Sequence, residues 1–304
     1  MKIEFKSIIS AVRHLLGHAV CTGVVILTAF NAQAQNLFVS TAVGAGAIYE
    51  YTPNGMQSTF ASGLNPVKLA FNSAGNLFEA DFSSGNIYEF TPNGTRSTFA
   101  SGLDAPDALA FNSAGDLFEG DSGSGNIFEF TPNGTRSTFA SGLSNPQALA
   151  FNSAGNLFEG DAHSGHIYEF TPNGTRSTFA SGLAAPVGFA FNSAGDLFES
   201  DWASGHIYEF TPNGTQSTFA SGLNYPTELA FNSAGDLFEA DSGSGNLYEF
   251  TPNGTRSTFA SGLGPGGPFG LAFQGVTLPV PEPSTLGLLA AAAAILFCHR
   301  RYPA

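Results

Sequence analysis

Five times along the chain a glutamate stands two residues before an aspartate: Glu79/Asp81, Glu119/Asp121, Glu159/Asp161, Glu199/Asp201 and Glu239/Asp241. Two carboxyls at that spacing look like a catalytic acid–base pair. A reaction centre, however, needs one unique constellation, and a pair present in copy after copy is a structural feature. The aspartates are read as acceptors for backbone N–H groups of the Ser-Gly turn that follows each of them. The facing of the glutamates depends on strand register, which the sequence leaves open.

Histidine offers a second chemistry. His163, His166 and His206 are the only imidazoles outside the two ends, and Asp161 and Asp201 lie nearby. Such a set could ligate a transition metal. Yet the residues sit in equivalent loops of adjacent repeats, far apart for one ion, and solvated loop histidines are the better reading. Trp202, the sole tryptophan, stands with Phe82 and Tyr225 as a set of rings able to stack on a sugar. Few polar residues break the sameness of the repeats: Lys68, Asp107, Gln147, Thr227 and Glu228. No catalytic residue is assigned. The only cofactor considered is a divalent cation.

These residues hang on a 40-residue repeat. The unit Asn76–Gly115 recurs at 116–155, 156–195 and 196–235, with a partial copy at 36–75 and a last one at 236–275. Internal repetition at this period signals a solenoid or a propeller. Each unit divides into four runs of strand composition, in the second copy Leu77–Asp81, Ile87–Thr91, Ser97–Ala100 and Ala108–Phe111. Thr91-Pro92-Asn93-Gly94 places Asn-Gly where a tight hairpin takes positive φ, and Asn112–Gly115 turns the chain again. One four-stranded sheet of this size cannot bury both faces, so neighbouring sheets must stack on it. The first copy begins on a second strand at Asn36, and the last ends on a first strand at Pro268–Phe273. The end of the chain can therefore complete the first sheet and close a circle. The expected fold is all-β: a six-bladed β-propeller of four-stranded blades over residues 35–275, closed by the C-terminal strand, with a short hydrophobic helix at each end.

Within such a blade the loop before the first strand and the loop joining second to third strand emerge on one face. The opposite turns barely vary: FNSAG recurs in five copies and TPNG in six. The same-face loops do vary, at Lys68, Phe82, Asp107, Gln147, His163, His166, Trp202, His206, Tyr225, Thr227 and Glu228. These are the binding-face candidates, gathered around the mouth of a central channel.

Charge and cysteine narrow the function. The formal net charge is −14, and charged residues are only 11% of the chain. Both ends are basic, so the body is more acidic still, with Lys68, Arg96, Arg136, Arg176 and Arg256 as its only fixed cations. Phosphate backbones need basic patches, which excludes nucleic acid as a partner. Cys21 and Cys298 lie in the terminal segments, so the body has no thiol for a disulfide, a metal or nucleophilic catalysis.

The ends read as processing signals. Lys2, Lys6 and Arg13 precede the apolar run Val20–Phe30, and Ala32-Gln33-Ala34 supplies a small-x-small cleavage site, so residues 1–34 form an expected signal peptide. Pro281-Glu282-Pro283 closes a linker at 276–285. The apolar run Leu286–Cys298 follows, ~20 Å long as a helix, and then Arg300 and Arg301. This order resembles the PEP-CTERM sorting signal of Gram-negative bacteria. The resemblance implies export, transient membrane contact through the C-terminal helix, and removal of the tail by an exosortase. It also implies association with exopolysaccharide, because many members accompany its production.

The pattern Pro-x-x-Leu-Ala-Phe, then Gly-x-Leu-Phe-x-x-Asp-x-x-Ser-Gly-x-Ile-Tyr, resembles NHL repeats and the TolB-like and gluconolactonase-like six-bladed propellers. Such lactonases hold one divalent metal in the channel through Glu, Asn and Asp ligands from different blades. None of those ligands carries over to a residue of this chain. The expected function is a non-catalytic propeller at the cell surface or in the matrix, presenting a binding face to polysaccharide or protein. The alternatives are a metal-dependent lactonase or lyase and self-assembly through exposed outer strands such as Ser97–Ala100.

Overall fold

The computed structural model describes residues 35–42, 46–264 and 266–275. Within them the chain forms six four-stranded antiparallel sheets. The expected helices at the two ends, Pro281 to Pro283 and the cleavage-site alanines lie outside the described residues. Each sheet is an up-and-down blade. In the second blade the strands run Pro66–Phe71, Leu77–Asp81, Asn86–Phe90 and Arg96–Ser101 from the axis outwards. The inner strands of blades three to six are Pro106–Phe111, Pro146–Phe151, Pro186–Phe191 and Pro226–Phe231.

The first blade is closed from the far end of the chain. Pro268–Phe273 pairs antiparallel with Leu37–Thr41, setting Leu37 opposite Phe273 and Val39 opposite Leu271. The same strand touches the inner strands on both sides, Pro226–Phe231 and Pro66–Phe71, so the ring is continuous.

Phenylalanine holds the blades together. In the second blade Phe78 meets Phe99 of its own outer strand and Phe111 of the next inner strand, both edge-on at 5.0 Å. The same trio recurs around the ring and ends in Phe238, Phe259 and Phe273, across the closing strand. Each such pair contributes about 0.5–1.5 kcal/mol beyond the area it buries. Period-two alternation places Phe78 towards the following blade and Leu77 in the cluster shared with the preceding one.

The turns away from the channel mouth are built by their own side chains. Gly94 N–H bonds Thr91 O at 2.8 Å, and Thr91 N–H bonds Thr95 O at 3.0 Å. Only Gly94 (φ 82°) lies in the left-handed region, and Asn93 does not. The hairpin is therefore a type I turn with a glycine bulge, not the turn with two positive φ values that Asn-Gly suggests, because Pro92 fixes a helical first step. Asn93 instead accepts the Thr91 hydroxyl. That contact accounts for the recurrence of Thr-Pro-Asn-Gly.

Candidate functional site

The site is built on two devices repeated in blade after blade. The first is the aspartate of each Glu-x-Asp. Asp81 Oδ1 accepts Ser84 N–H at 2.9 Å, within the turn that follows. Its Oδ2 accepts Asn65 N–H at 2.8 Å, in the loop leading to the inner strand. Asp121, Asp161, Asp201 and Asp241 make the same two bonds. Each carboxylate thus ties the two variable loops of its blade together. Gly85 (φ 65°) completes the clamp, since a Cβ there would lie 2.3 Å from Leu103 O.

The second device is a bulge just inside each inner strand. Register slips between Pro66 and Lys68, and again at Pro106/Ala108, Pro146/Ala148 and Pro186/Gly188. The slipped residue is released from the ladder and re-aimed. Val67, Asp107, Gln147 and Val187 occupy these positions, with Thr227 and Phe269 at the corresponding points of the other two inner strands. All six line one cavity of about 540 Å3. Six blades that agree nearly everywhere else thus present almost entirely different side chains to one central mouth.

Lys68, Phe82, His163 and Trp202 line the same cavity. Tyr225 does not, but its ring stacks on Trp202 at 4.4 Å, bridging the fifth and sixth blades. Trp202, Tyr225 and Phe82 are 41%, 46% and 40% exposed, rare among the large apolar residues described. Tyr225 also adopts φ 57°, a strained conformation for a bulky side chain. Its carbonyl is held there by Ser242, whose hydroxyl donates at 2.8 Å.

Below the rim lies a polar floor. Lys68 reaches across the channel from the second blade and donates to Val187 O at 2.7 Å and to Glu228 Oε2 at 2.5 Å. Burial raises the Glu228 carboxyl, while the Lys68 ammonium pulls it back down. Asp107 Oδ2 accepts Gln147 Nε2 at 2.6 Å. Burial pushes Asp107 up to about 6 against the opposing pull of Lys68 and Gln147, with Glu228 adding to the rise. Thr227 spends its hydroxyl on Ala240 O and Pro268 O.

The histidines are not brought together. His163 is exposed at the cavity. His166 and His206 begin third strands further out, each stacked on its own tyrosine, Tyr168 at 5.5 Å and Tyr208 at 5.4 Å. Among the described residues no group of three His, Cys, Asp or Glu is placed to hold a metal ion. The divalent cation of lactonase-like propellers does not fit this channel either, because one of its two carboxylates, Glu228, is already paired with the Lys68 ammonium, which leaves Asp107 as the single free carboxylate.

The glutamates of Glu-x-Asp lie away from the cavity. Glu79, Glu119, Glu159, Glu199 and Glu239 are wholly buried between blades, and neither carboxyl oxygen of any has a hydrogen-bond partner. Burial, with the neighbouring aspartate, pushes Glu79 and Glu159 up to about 9, and raises the other three well above the carboxylate range. Burial without a hydrogen-bond partner favours the neutral form of each. The first blade has Val39 in their place, paired with Leu271 and Tyr49 as Glu79 is with Leu69 and Tyr88.

Comparison with known proteins adds two findings. The PEP-CTERM protein-sorting motif matches residues 279–301. A search of curated proteins gives no match. Solved structures share the fold at low identity. A chain of a nidogen/laminin complex has TM-score 0.70 and 18% identity over 79% of this chain and 98% of its own. Virginiamycin B lyase from Staphylococcus aureus has TM-score 0.58 and 16% identity over 73% and 83%. A putative gluconolactonase has TM-score 0.58 and 16% identity over 66% and 79%. The chain is a six-bladed β-propeller carrying a PEP-CTERM sorting motif, which implies export, sorting by an exosortase and C-terminal processing at the membrane of a Gram-negative bacterium.

Proposed function

We propose that the exported propeller is a non-catalytic binding module, displayed at the cell surface or in the exopolysaccharide matrix, whose ligand is a glycan or protein taken at the channel mouth. One observation carries this reading: a ring of dissimilar side chains beneath exposed aromatic rims at 82, 202 and 225. The cavity falls within the ~300–1,000 Å3 of small-ligand sites. The donors of its floor are committed to internal bonds, Lys68 to Glu228 and Gln147 to Asp107, an arrangement suited to holding a ligand rather than transforming one.

The test is retention of the exported protein on polysaccharide from the producing bacterium. Truncating a central aromatic anchor costs about 2 kcal/mol or more, roughly 30-fold in affinity, so Trp202→Ala should elute early. Undiminished retention of that variant would remove the mouth as the binding site.

A further inference from the structure

Asp107 has a carboxyl oxygen left over. It is 9% exposed and lies on the cavity wall, where Oδ2 accepts Gln147 and Oδ1 has no partner among the described residues. The one ammonium in the channel, Lys68, is bonded to Glu228 rather than to Asp107. Lys68, Glu228 and ionised Asp107 together carry one negative charge more than they cancel. Above them stand Trp202 with Tyr225 stacked on it, and Phe82 across the mouth. Aromatic faces attract cations as well as sugar rings, and the acidic body draws cations towards the mouth.

We propose that the mouth takes a saccharide bearing a protonated amine, its ring against Trp202 and its ammonium on Asp107. The assignment rests on the binding-face reading and names its ligand class. A neutral sugar can offer Asp107 Oδ1 hydroxyl donors but leaves its charge uncancelled, whereas an ammonium supplies donors and the opposite charge together. N-acetylation of the same sugar removes the charge and leaves a single amide N–H donor. The channel already shows the pairing in miniature, in the Lys68 ammonium held by a carboxylate and a carbonyl.

The experiment compares glucosamine oligomers with N-acetylglucosamine oligomers of equal length, titrated into the full exported protein by calorimetry near neutral pH. The free-amine series should bind about tenfold tighter or better, the ratio that one charge-assisted bond supplies. Asp107→Asn, close in shape, should erase that ratio, and Trp202→Ala should weaken both series. Melting curves establish that each variant is folded. A preference for free amines that survives Asp107→Asn reports the acidic surface instead and overturns the proposal. Equal binding of the two series, lost in Trp202→Ala, overturns the amine assignment and leaves the glycan reading standing. Failure of both series, together with no retention on matrix polysaccharide, brings down the glycan reading itself.

Discussion

The five buried glutamates make a quantitative demand on how stability responds to pH. Glu79 shares a strand face with Leu77 and Asp81, its oxygens unpartnered; Asp81 repels its charge, and Arg96, lodged over the Tyr88 ring, attracts it weakly. In the folded chain the carboxyl is pushed up to about 9, while unfolding returns it to its ordinary value near 4.5. The folded value is the raised one. Its contribution to stability is therefore greatest below the unfolded value, falls as pH rises through the window, and levels off above the folded value. Each pH unit in the window costs about 1.4 kcal/mol for one such group. From about pH 5 to about pH 8 that is at most ~4 kcal/mol for Glu79 alone, which water entry and relaxation reduce. At about 2–4 °C per kcal/mol for a domain of this size, the wild type should lose more than Glu79→Gln between those two pH values, by up to about 8–16 °C. The glutamine keeps the shape and has no proton to lose. The assay is thermal denaturation of both proteins at both pH values, with an infrared band for protonated carboxyl as the independent reading. If the two proteins stay a constant interval apart as pH changes, Glu79 is not a neutral group in the folded state and the reasoning fails.

Two further predictions concern the ring. Lys68→Met leaves Glu228 buried without its cation and should cost about 3–5 kcal/mol by denaturant titration; adding Glu228→Gln should recover most of that loss. Ending the chain before Pro268 removes the inner strand of the first blade and the Phe273 ring against Phe238. The truncated protein should lose cooperative melting, and a melting curve like that of the full chain would contradict closure by this strand.

Much of this architecture is legible in the sequence because each blade repeats its instructions. The period, the four runs per unit and the start on a second strand lead to six blades and to the closing strand. The Asp81 contact with Ser84 N–H is foreseeable from the Asx-turn habit of aspartate. Its second contact, to Asn65 N–H, depends on two loops meeting and has no local signature. The facing of Glu79 follows from register alone, since a slip of one residue moves every side chain to the opposite face. The Lys68–Glu228 bridge joins residues 160 positions apart across the axis, beyond the reach of any reading of spacing. The bulge after each blade proline is equally hidden, although its consequence, a ring of dissimilar residues, is visible once the repeats are aligned at that proline.

That ring bears on where function resides. The inner strands must pack closely, and they do so by compensating small residues: Ala108 faces Gly120, Ala148 faces Gly160, Gly188 faces Ser200. A Cβ on Gly188 would meet Thr227 O at 2.3 Å and Ser200 Oγ at 2.6 Å. In these three blades the positions facing a neighbour are thus matched pairwise by sterics, while the second blade sets Lys68 opposite Ala80 there, and the outward turns are locked by their own hydrogen bonds. The bulged residue is held less tightly, because it leaves the ladder and lines the central cavity. It can therefore be Val, Asp, Gln, Thr or Phe without disturbing the blade that carries it. A scaffold of near-identical blades that diversifies at such a position puts its chemical individuality at the mouth.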